Sequence, residues 1–285
     1  MSDEQHPNSS DKREHGRSDI DGSQSTTSHP LSDGDHNHSS ALGAILFELR
    51  SKPRLWAPFF VVGCLLTAVD YLREHDPLPI QPSGSESALQ VSYTIFPTGT
   101  SKTMRSLDAF VDLPLGVLAY AVSLELVVVG AVATAGWLTM KHTSDISFRL
   151  RQFFVYLAGL SLFYFLARLG SAVNLDYAPR TLLAGIIALA ILSFIAVRLF
   201  LFPVAILHEK GIVTALRASW HRSKSHGAPL FGLIVILGLA SGRIVQFPVV
   251  GAVLSSTIVG TLHAVALAVL YDWYDESTVN TTAKR

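Results

Sequence analysis

The chain has 285 residues, of which 49% are hydrophobic and 15% charged, and its formal net charge at pH 7 is zero. A mean hydropathy of +0.37 is high for a sequence whose first forty residues are almost wholly polar, so the composition indicates an integral membrane protein. The single cysteine, Cys64, excludes an intrachain disulfide. Outside the connections between apolar stretches there is no basic surface, which argues against a nucleic-acid partner.

Residues 1–40 form a polar segment rich in Ser, Asp, His and Gly, with eight acidic and three basic side chains. Such a segment buries too little apolar surface to offset the entropy of ordering, so we expect a disordered tail. Irregular histidine spacing without a supporting cysteine favours a solvated tail over a metal site. The histidines are His6, His15, His29, His36 and His38. We predict no metal and no cofactor.

Residues 41–49 have the pattern of a short amphipathic helix, which we expect to lie in the membrane interface. Beyond it, six apolar stretches cover residues 55–72, 113–140, 152–169, 182–207, 229–250 and 251–271. A helix needs about 20 residues to cross roughly 30 Å of hydrocarbon. We therefore predict an all-α, polytopic membrane bundle of about six transmembrane helices over residues 41–275, followed by a C-terminal tail, 276–285. A re-entrant segment is the alternative for the first stretch.

Residues 73–112 form the one long connection between apolar stretches. Pro77, Pro79 and Pro82 forbid a continuing helix, and residues 89–95 alternate with the period of a half-buried strand. With no second strand nearby, we expect a lone extended segment packed on the helix ends rather than a sheet. A ligand-binding role for this outer loop is the alternative to structural cover.

Basic residues are concentrated in alternate connections, as the positive-inside rule describes. One set of connections holds Arg50, Lys52, Arg54, Lys141, Arg149, Arg151, Lys210, Arg217, Arg222 and Lys224. The other set holds Arg180 in one turn, none in the turn at Val250, and three bases among five acids in the long loop. This pattern predicts a multi-pass protein of the cell membrane with both termini in the cytoplasm.

The segment 198–226 reads RLFLFPVAILHEKGIVTALRASWHRSKSH, a membrane helix that continues into an amphipathic helix, 209–226. It resembles the signature stretch of the glycerophosphodiester phosphodiesterase membrane domain and related six-span membrane proteins of unknown function. The matching residues are Pro203, Glu209, Gly211, Ala215 and Ser219. The resemblance extends loosely over the six spans and implies a fold, with a role in membrane organisation or lipid-linked processes. The chain has no match to the soluble barrel of some relatives, so no hydrolytic chemistry is implied.

Two physical features of this segment follow from its residues. Pro203 removes a backbone donor and is expected to bend the fourth span. The amphipathic helix has an apolar face of Ile212, Val213, Leu216 and Trp220, and a basic face of Lys210, Arg217, His221 and Lys224. We expect it to lie in the cytoplasmic interface with its cations on anionic headgroups. Docking of a soluble partner and a plain connecting role are the alternatives.

Four ionisable residues fall within spans, where a charge costs several kcal/mol unless it finds protein or water. Arg198 and Arg243 are near span ends and can extend to the interfaces. Glu125 and His263 are deeper, each about twelve residues from the same side of the membrane. We therefore predict that they form an intramembrane polar pair, either a tie between helices or a proton-sensitive switch.

In the last span, Ser256, Gly260 and Ala264 stand four residues apart. Small side chains at that spacing allow close approach of helices in lipid, so this strip is predicted to pack against another helix of the bundle.

The motifs of several enzyme classes are missing: an HExxH or paired acidic metal motif, a glycine-rich phosphate loop and a rhomboid-type serine motif. We therefore expect no enzyme. The first interpretation is a membrane protein that interacts with lipids or with partner membrane proteins. The second is a small-solute transporter that uses Glu125 and His263 as a coupling pair. A water-accessible cavity at mid-depth would favour the transporter, whereas a scaffold needs none.

Overall fold

The computed structural model describes residues 41–82, 93–105, 107–144, 150–171, 179–209, 211–224 and 226–283. The predicted tail, residues 1–40, lies outside the described residues. Helices make up most of the described chain and strands almost none of it, which confirms the predicted all-α membrane bundle.

The helices are α1 (Ala41–Ser51), α2 (Ala57–His75), α3 (Leu115–Ser144), α4 (Leu150–Ser171), α5 (Pro179–Leu199), α6 (Phe202–His208), α7 (Ile212–Arg222), α8 (Gly227–Ile244), α9 (Gly251–Ser255) and α10 (Thr261–Ala283). Short 3-10 turns, Pro53–Trp56 and Leu107–Phe110, precede α2 and α3. A π-helical turn, Ser256–Gly260, joins α9 to α10 into one continuous span.

Within the described residues, five helical segments are long and apolar enough to cross a membrane. They are Pro53–His75, Leu115–Ser144, Gly185–His208, Gly227–Ile244 and Gly251–Tyr274. The first predicted span is therefore a full-length apolar helix. The third predicted span is α4, whose apolar part as described, Leu150–Leu166, is shorter. The chain is a multi-pass membrane protein.

Successive spans run in opposite directions, so the bundle has two ends. At one end, here called the loop end, α2 ends and α3 begins. Thr67 of α2 and Ala252 of α9 line the same small cavity there, so these two helices are neighbours at this end. At the other, here called the α7 end, the ring of His208 stacks on Tyr271 at a centroid distance of 4.5 Å. Contacts between helices distant in sequence thus occur at both ends.

The last span lies at the centre of the bundle. In its most apolar window 67% of the residues are buried, against 22–39% in the other four spans. Residues 264–268 are all fully buried. Helices α1, α2 and α3 surround this span, so most of its surface is covered by protein instead of lipid.

The small strip of the last span packs against α2, as predicted. A Cβ atom at Gly260 would lie 2.6 Å from the ring of Phe59, and one at Gly63 would lie 2.7 Å from the backbone of Val253. The other two members of the strip are fully buried. Small residues on both helices therefore allow their backbones to approach closely.

The predicted bend in the fourth span is a break between two helices. Helix α5 ends at Leu199, and α6 begins at Phe202 with Pro203 in its first turn. Proline donates no hydrogen bond and its ring clashes with the carbonyl group four residues earlier, which belongs to Leu199. A two-residue turn separates the helices for this reason.

The connection between α2 and α3 enters the bundle instead of covering its end. The ring of Tyr93 stacks on Phe200 at a centroid distance of 6.4 Å, and Phe96 meets Phe202 at 6.2 Å. Both partners belong to the half of the bundle near the α7 end. Residues 93–105 are therefore a re-entrant segment, and the expectation of a loop packed on the helix ends was wrong. Irregular backbone is tolerated at this depth because protein surrounds it.

A minimal sheet closes the re-entrant segment at the loop end, where no sheet was expected. Gln81–Pro82 and Thr103–Met104 pair as antiparallel strands of two residues each. Most of the stretch 89–95 lies outside the described residues, and its described part, 93–95, forms no strand. The alternating pattern at 89–95 therefore did not predict the residues that pair as strands, which are 81–82 and 103–104.

Helix α1 forms where the short amphipathic helix was predicted, but it has apolar side chains on both its buried and its exposed sides. Ile45 and Leu49 are buried in the core, whereas Leu42, Leu46 and Phe47 are exposed. Helix α1 contacts α10, so its exposed apolar row faces away from the bundle. Such an arrangement fits a helix in the membrane interface.

Two helix ends differ from the predicted boundaries. Helix α7 covers Ile212–Arg222, which is shorter than the predicted 209–226, because Glu209 ends α6 in an extended conformation. Helix α10 continues to Ala283, although a tail was expected from residue 276. No proline or glycine stops the helix in that stretch.

Candidate functional site

Asp70, near the end of α2, fixes the re-entrant segment by four hydrogen bonds. Its carboxylate accepts the backbone N–H groups of Lys102 at 2.8 Å and Thr103 at 3.2 Å. The hydroxyl groups of Ser101 and Thr103 also donate to it, at 2.5 and 2.6 Å. A carboxylate at this depth is stable because loop donors satisfy it.

Arg73, one turn further along α2, joins this loop to α3. Its guanidinium is 1% exposed and donates to Glu125 Oε1 at 2.7 Å. It also donates to Ser101 Oγ and to the carbonyl oxygen of Thr103, both at 3.0 Å. The second carboxylate oxygen of Glu125 accepts the hydroxyl group of Tyr164 at 2.7 Å. This buried network of Asp70, Arg73, Glu125 and Tyr164 connects α2, α3, α4 and the re-entrant segment.

In the structure, Glu125 pairs with Arg73 and Tyr164. The predicted pair of Glu125 with His263 was therefore wrong. The first apolar stretch ends at residue 72, but α2 continues to His75 and turns Arg73 inward. An arginine can meet a carboxylate with a fixed fork of donors, which a single imidazole nitrogen cannot. The equal depth of Glu125 and His263 was therefore not enough to bring them together.

His263 lies instead among aromatic rings. Its ring centroid is 5.5 Å from that of Tyr93 and 5.6 Å from that of Phe200. It is 4% exposed, and its Nε2 atom has no hydrogen-bond partner in the described part of the chain. The Tyr93 hydroxyl is also buried without a partner.

A cavity of about 400 Å³ lies between the re-entrant segment and the helices. Its volume is within the range of small-molecule sites. The lining residues come from five helices, the π-helical turn and the re-entrant segment: Leu66, Arg73, Tyr93, Thr94, Thr98, Gly99, Thr100, Ser101, Thr103, Met104, Val128, Val129, Val132, Leu160, Tyr164, Leu237, Ser241, Val259 and His263. Two of them, Thr94 and Met104, are exposed, so the cavity reaches the molecular surface.

This cavity is at mid-depth. Val129 lies near the middle of α3, Leu160 near the middle of α4, and His263 about twelve residues into the last span. The wall formed by the helices is mainly apolar and also includes Arg73, Tyr164, Ser241 and His263. The other wall, formed by the re-entrant segment, has Ser or Thr at positions 94, 98, 100, 101 and 103.

The π-helical turn Ser256–Gly260 borders the cavity through Val259. Extra residues of this kind inside an α-helix occur frequently at functional sites. The turn also faces the loop, because a Cβ atom on Gly99 would meet the side chain of Ser256. Gly99 therefore allows the re-entrant segment to approach the central helix.

The residues of the family-like stretch have structural positions near the α7 end. Pro203 and Ala215 are buried, and the hydroxyl group of Ser219 donates to the carbonyl oxygen of Arg198 at 2.8 Å. Glu209 ends α6, and Gly211 precedes α7 with extended dihedral angles that any residue adopts. None of these five residues lines the mid-depth cavity.

On α7, Ala215 and Ser219 face the protein, whereas the predicted apolar and basic faces point outward. Ile212, Val213, Leu216 and Trp220 are 42–70% exposed. Arg217, His221 and Lys224 are exposed as well, and Lys210 lies outside the described residues. The helix therefore presents large apolar side chains and cations together.

The two arginines near span ends behave differently. Arg243 is exposed, as expected for a side chain that extends to the interface. Arg198 places its guanidinium 4.9 Å from the ring centroid of Phe194 and 5.5 Å from that of Trp220. These contacts are cation–π interactions, which stabilise a charge near an apolar phase.

Asp70, Arg73 and the Ser and Thr residues of the re-entrant segment were not predicted as site residues. The available signal was an acid and a base three residues apart at a span end, followed by five Ser or Thr residues between positions 94 and 103. Among the described residues there is no group of three His, Cys, Asp or Glu side chains that could hold a metal ion.

No protein-family model, no curated protein and no solved structure matches this chain. The fold and the cavity define its class, a multi-pass helical membrane protein with a re-entrant segment.

Proposed function

We propose that this protein binds a small, uncharged, amphipathic solute in its mid-depth cavity and transfers that solute across the membrane. The observation that carries the proposal is the cavity itself, because a transporter needs a site near the bilayer midplane and a solid scaffold does not. The proposal is non-enzymatic, since it requires no bond to be made or broken.

The lining chemistry supports a neutral solute. Among the described lining residues, Arg73 carries the permanent charge, and it already contacts Asp70 and Glu125 at 3.7 and 2.7 Å. A charged solute would enter without a free counterion, at a high cost of desolvation. Hydroxyl groups on one wall and valine and leucine on the other suit a molecule with one polar and one apolar side.

Chemical modification tests whether water reaches the cavity. In a Cys64→Ala background, Thr98→Cys should react with a small, water-soluble thiol reagent, whereas Ala266→Cys, which is fully buried and away from the cavity, should not. Adding Val129→Phe fills the cavity and should slow the reaction at position 98 severalfold. The matched change Leu126→Phe, at a 66% exposed position of the same helix, should leave the rate unchanged. An unreactive Thr98→Cys would contradict the proposal.

Transfer itself can be measured with glycerol as the probe. Proteoliposomes should re-swell after a glycerol shock faster than empty liposomes, and Val129→Phe should remove the difference while Leu126→Phe retains it. Re-swelling at the rate of empty liposomes would reject transfer of this solute class.

We further propose that the protein lies in the cell membrane with both termini in the cytoplasm, since the basic connections at 141–151 and 210–224 favour that side. A cysteine at Ser85 should react with an impermeant reagent added outside cells, whereas one at Ser144 should not. The opposite pattern would reverse the orientation.

A second candidate function rests on α7. Its exposed apolar residues, with cations beside them, are the chemistry of a helix that lies in the interface and binds anionic lipids. The resemblance to the glycerophosphodiester phosphodiesterase membrane domain points the same way, toward membrane organisation and contact with lipids or partner membrane proteins. If no solute enters the cavity, this surface role is the function that we propose instead.

A further inference from the structure

A second cavity lies at the opposite end of the bundle from the loop end. It has a volume of about 420 Å³ and lies where the turn Pro53–Trp56 meets the last turns of α3. Its lining residues are Ser51, Lys52, Pro53, Arg54, Leu55, Pro58, Leu138, Thr139 and His142. We propose that this cleft binds the phosphate headgroup of an anionic membrane phospholipid.

The charge at the cleft is positive. Lys52 and Arg54 are exposed lining residues, and His142 lies on the α3 side. Glu48 is the neighbouring acid, and its carboxylate is held by Lys52 Nζ at 2.5 Å. Arg54 forms no ion pair among the described residues. A phosphate group would therefore find an uncompensated positive charge.

The position of the cleft at the level of the lipid headgroups supports a lipid as the source of that phosphate. Its walls are mainly apolar, with Leu55, Pro58 and Leu138 below the basic rim. Trp56, beside the cleft, donates its indole N–H to the carbonyl oxygen of Leu49 at 3.3 Å. Tryptophan and basic residues together mark the level of lipid headgroups. Basic pockets between transmembrane helices are sites of this kind.

Thr139 provides an independent observation within the cleft. Its side chain is fully buried, and its hydroxyl oxygen has no hydrogen-bond partner among the described residues. A buried hydroxyl group without a partner is unfavourable. A phosphate oxygen in the cleft would accept this hydrogen bond, while Arg54, which forms no ion pair among the described residues, balances its charge.

Native mass spectrometry of the full-length protein in detergent tests the proposal, with phosphatidylglycerol, phosphatidylcholine and inorganic phosphate as the probes. Phosphatidylglycerol should bind more tightly than phosphatidylcholine. Lys52→Gln with Arg54→Gln should lower the affinity for phosphatidylglycerol about tenfold. The control variant, Lys102→Gln with Arg243→Gln, removes two exposed cations at the loop end and should leave the affinity unchanged.

Three results would overturn the proposal. The first is an equal loss of affinity in the cleft and control variants, which would show only a general effect of charge. The second is binding of inorganic phosphate as tight as that of phosphatidylglycerol, which would make the ligand a soluble anion. The third concerns Thr139→Val, which should weaken binding of phosphatidylglycerol if the proposal is right. If this variant instead had a higher melting temperature and an unchanged affinity for phosphatidylglycerol, the hydroxyl group would face an empty cleft and the proposal would fail. Because none of these variants touches the mid-depth cavity, the outcomes are independent of the proposed solute transfer.

Discussion

Replacing Arg73 with methionine is expected to destabilise the protein by about 3–5 kcal/mol, the usual cost of removing one partner from a buried ion pair. The side chain is 1% exposed and contacts the carboxylates of Asp70 and Glu125. Without the guanidinium, two carboxylates remain in the bundle with one cation fewer. Unfolding of the purified protein in detergent, followed by far-UV circular dichroism, measures the change.

The matched control is Glu74→Gln, because Glu74 is the adjacent residue of α2 and is exposed. This change should alter stability by no more than about 0.5 kcal/mol. Combining Arg73→Met with Glu125→Gln should recover part of the loss, since one unpaired carboxylate is then neutral. If Arg73→Met were as stable as the control variant, the buried network would not be what holds the re-entrant segment.

Gly260→Leu is expected to give the second largest loss, about 1–3 kcal/mol or more, from overpacking between α2 and the last span. Even the Cβ atom of the new side chain would lie 2.6 Å from the ring of Phe59. That ring is fully buried and cannot move aside cheaply. The melting temperature in detergent should therefore fall.

A suitable comparison is Gly232→Leu, because a Cβ atom at Gly232 has no neighbour within 4 Å. This variant should be as stable as the parent or more stable, since leucine favours a helix more than glycine does. Phe59→Ala in the Gly260→Leu background should restore part of the lost stability by making room. An unchanged melting temperature in Gly260→Leu would show that the strip does not pack tightly in the membrane.

The re-entrant segment contacts helices both in the interior of the bundle and at the loop end. Phe96 reaches the ring of Tyr156 in α4 at 5.1 Å, while Asp70 and Arg73 hold residues 101–103 near the loop end. The hydroxyl groups between these two anchors line the cavity. A change at either anchor should therefore alter the shape of the proposed solute site as well as the stability of the fold.

The identity of the site was the least predictable part. Periodicity and depth placed Glu125 and His263 at one level in the membrane. Equal depth does not determine which helices are neighbours or in which direction a side chain points. The partner of Glu125 was decided by how far α2 continued, by the direction in which Arg73 turned, and by a loop segment 28–30 residues further along the chain. Loop conformation of that kind depends on contacts distant in sequence, which local patterns do not encode.

The sequence by itself determined the solvent of this protein, its helical class, and several local features. Apolar length predicted the spans, Pro203 predicted the break in the fourth span, and small residues at 256, 260 and 264 predicted tight packing. These are properties of single helices, and they follow from hydropathy, backbone chemistry and side-chain size. Only the tertiary structure decided that residues 93–105 enter the bundle and that their hydroxyl groups face a cavity. The reason is that a polar backbone can be buried at this depth only where other helices supply its partners and surround it.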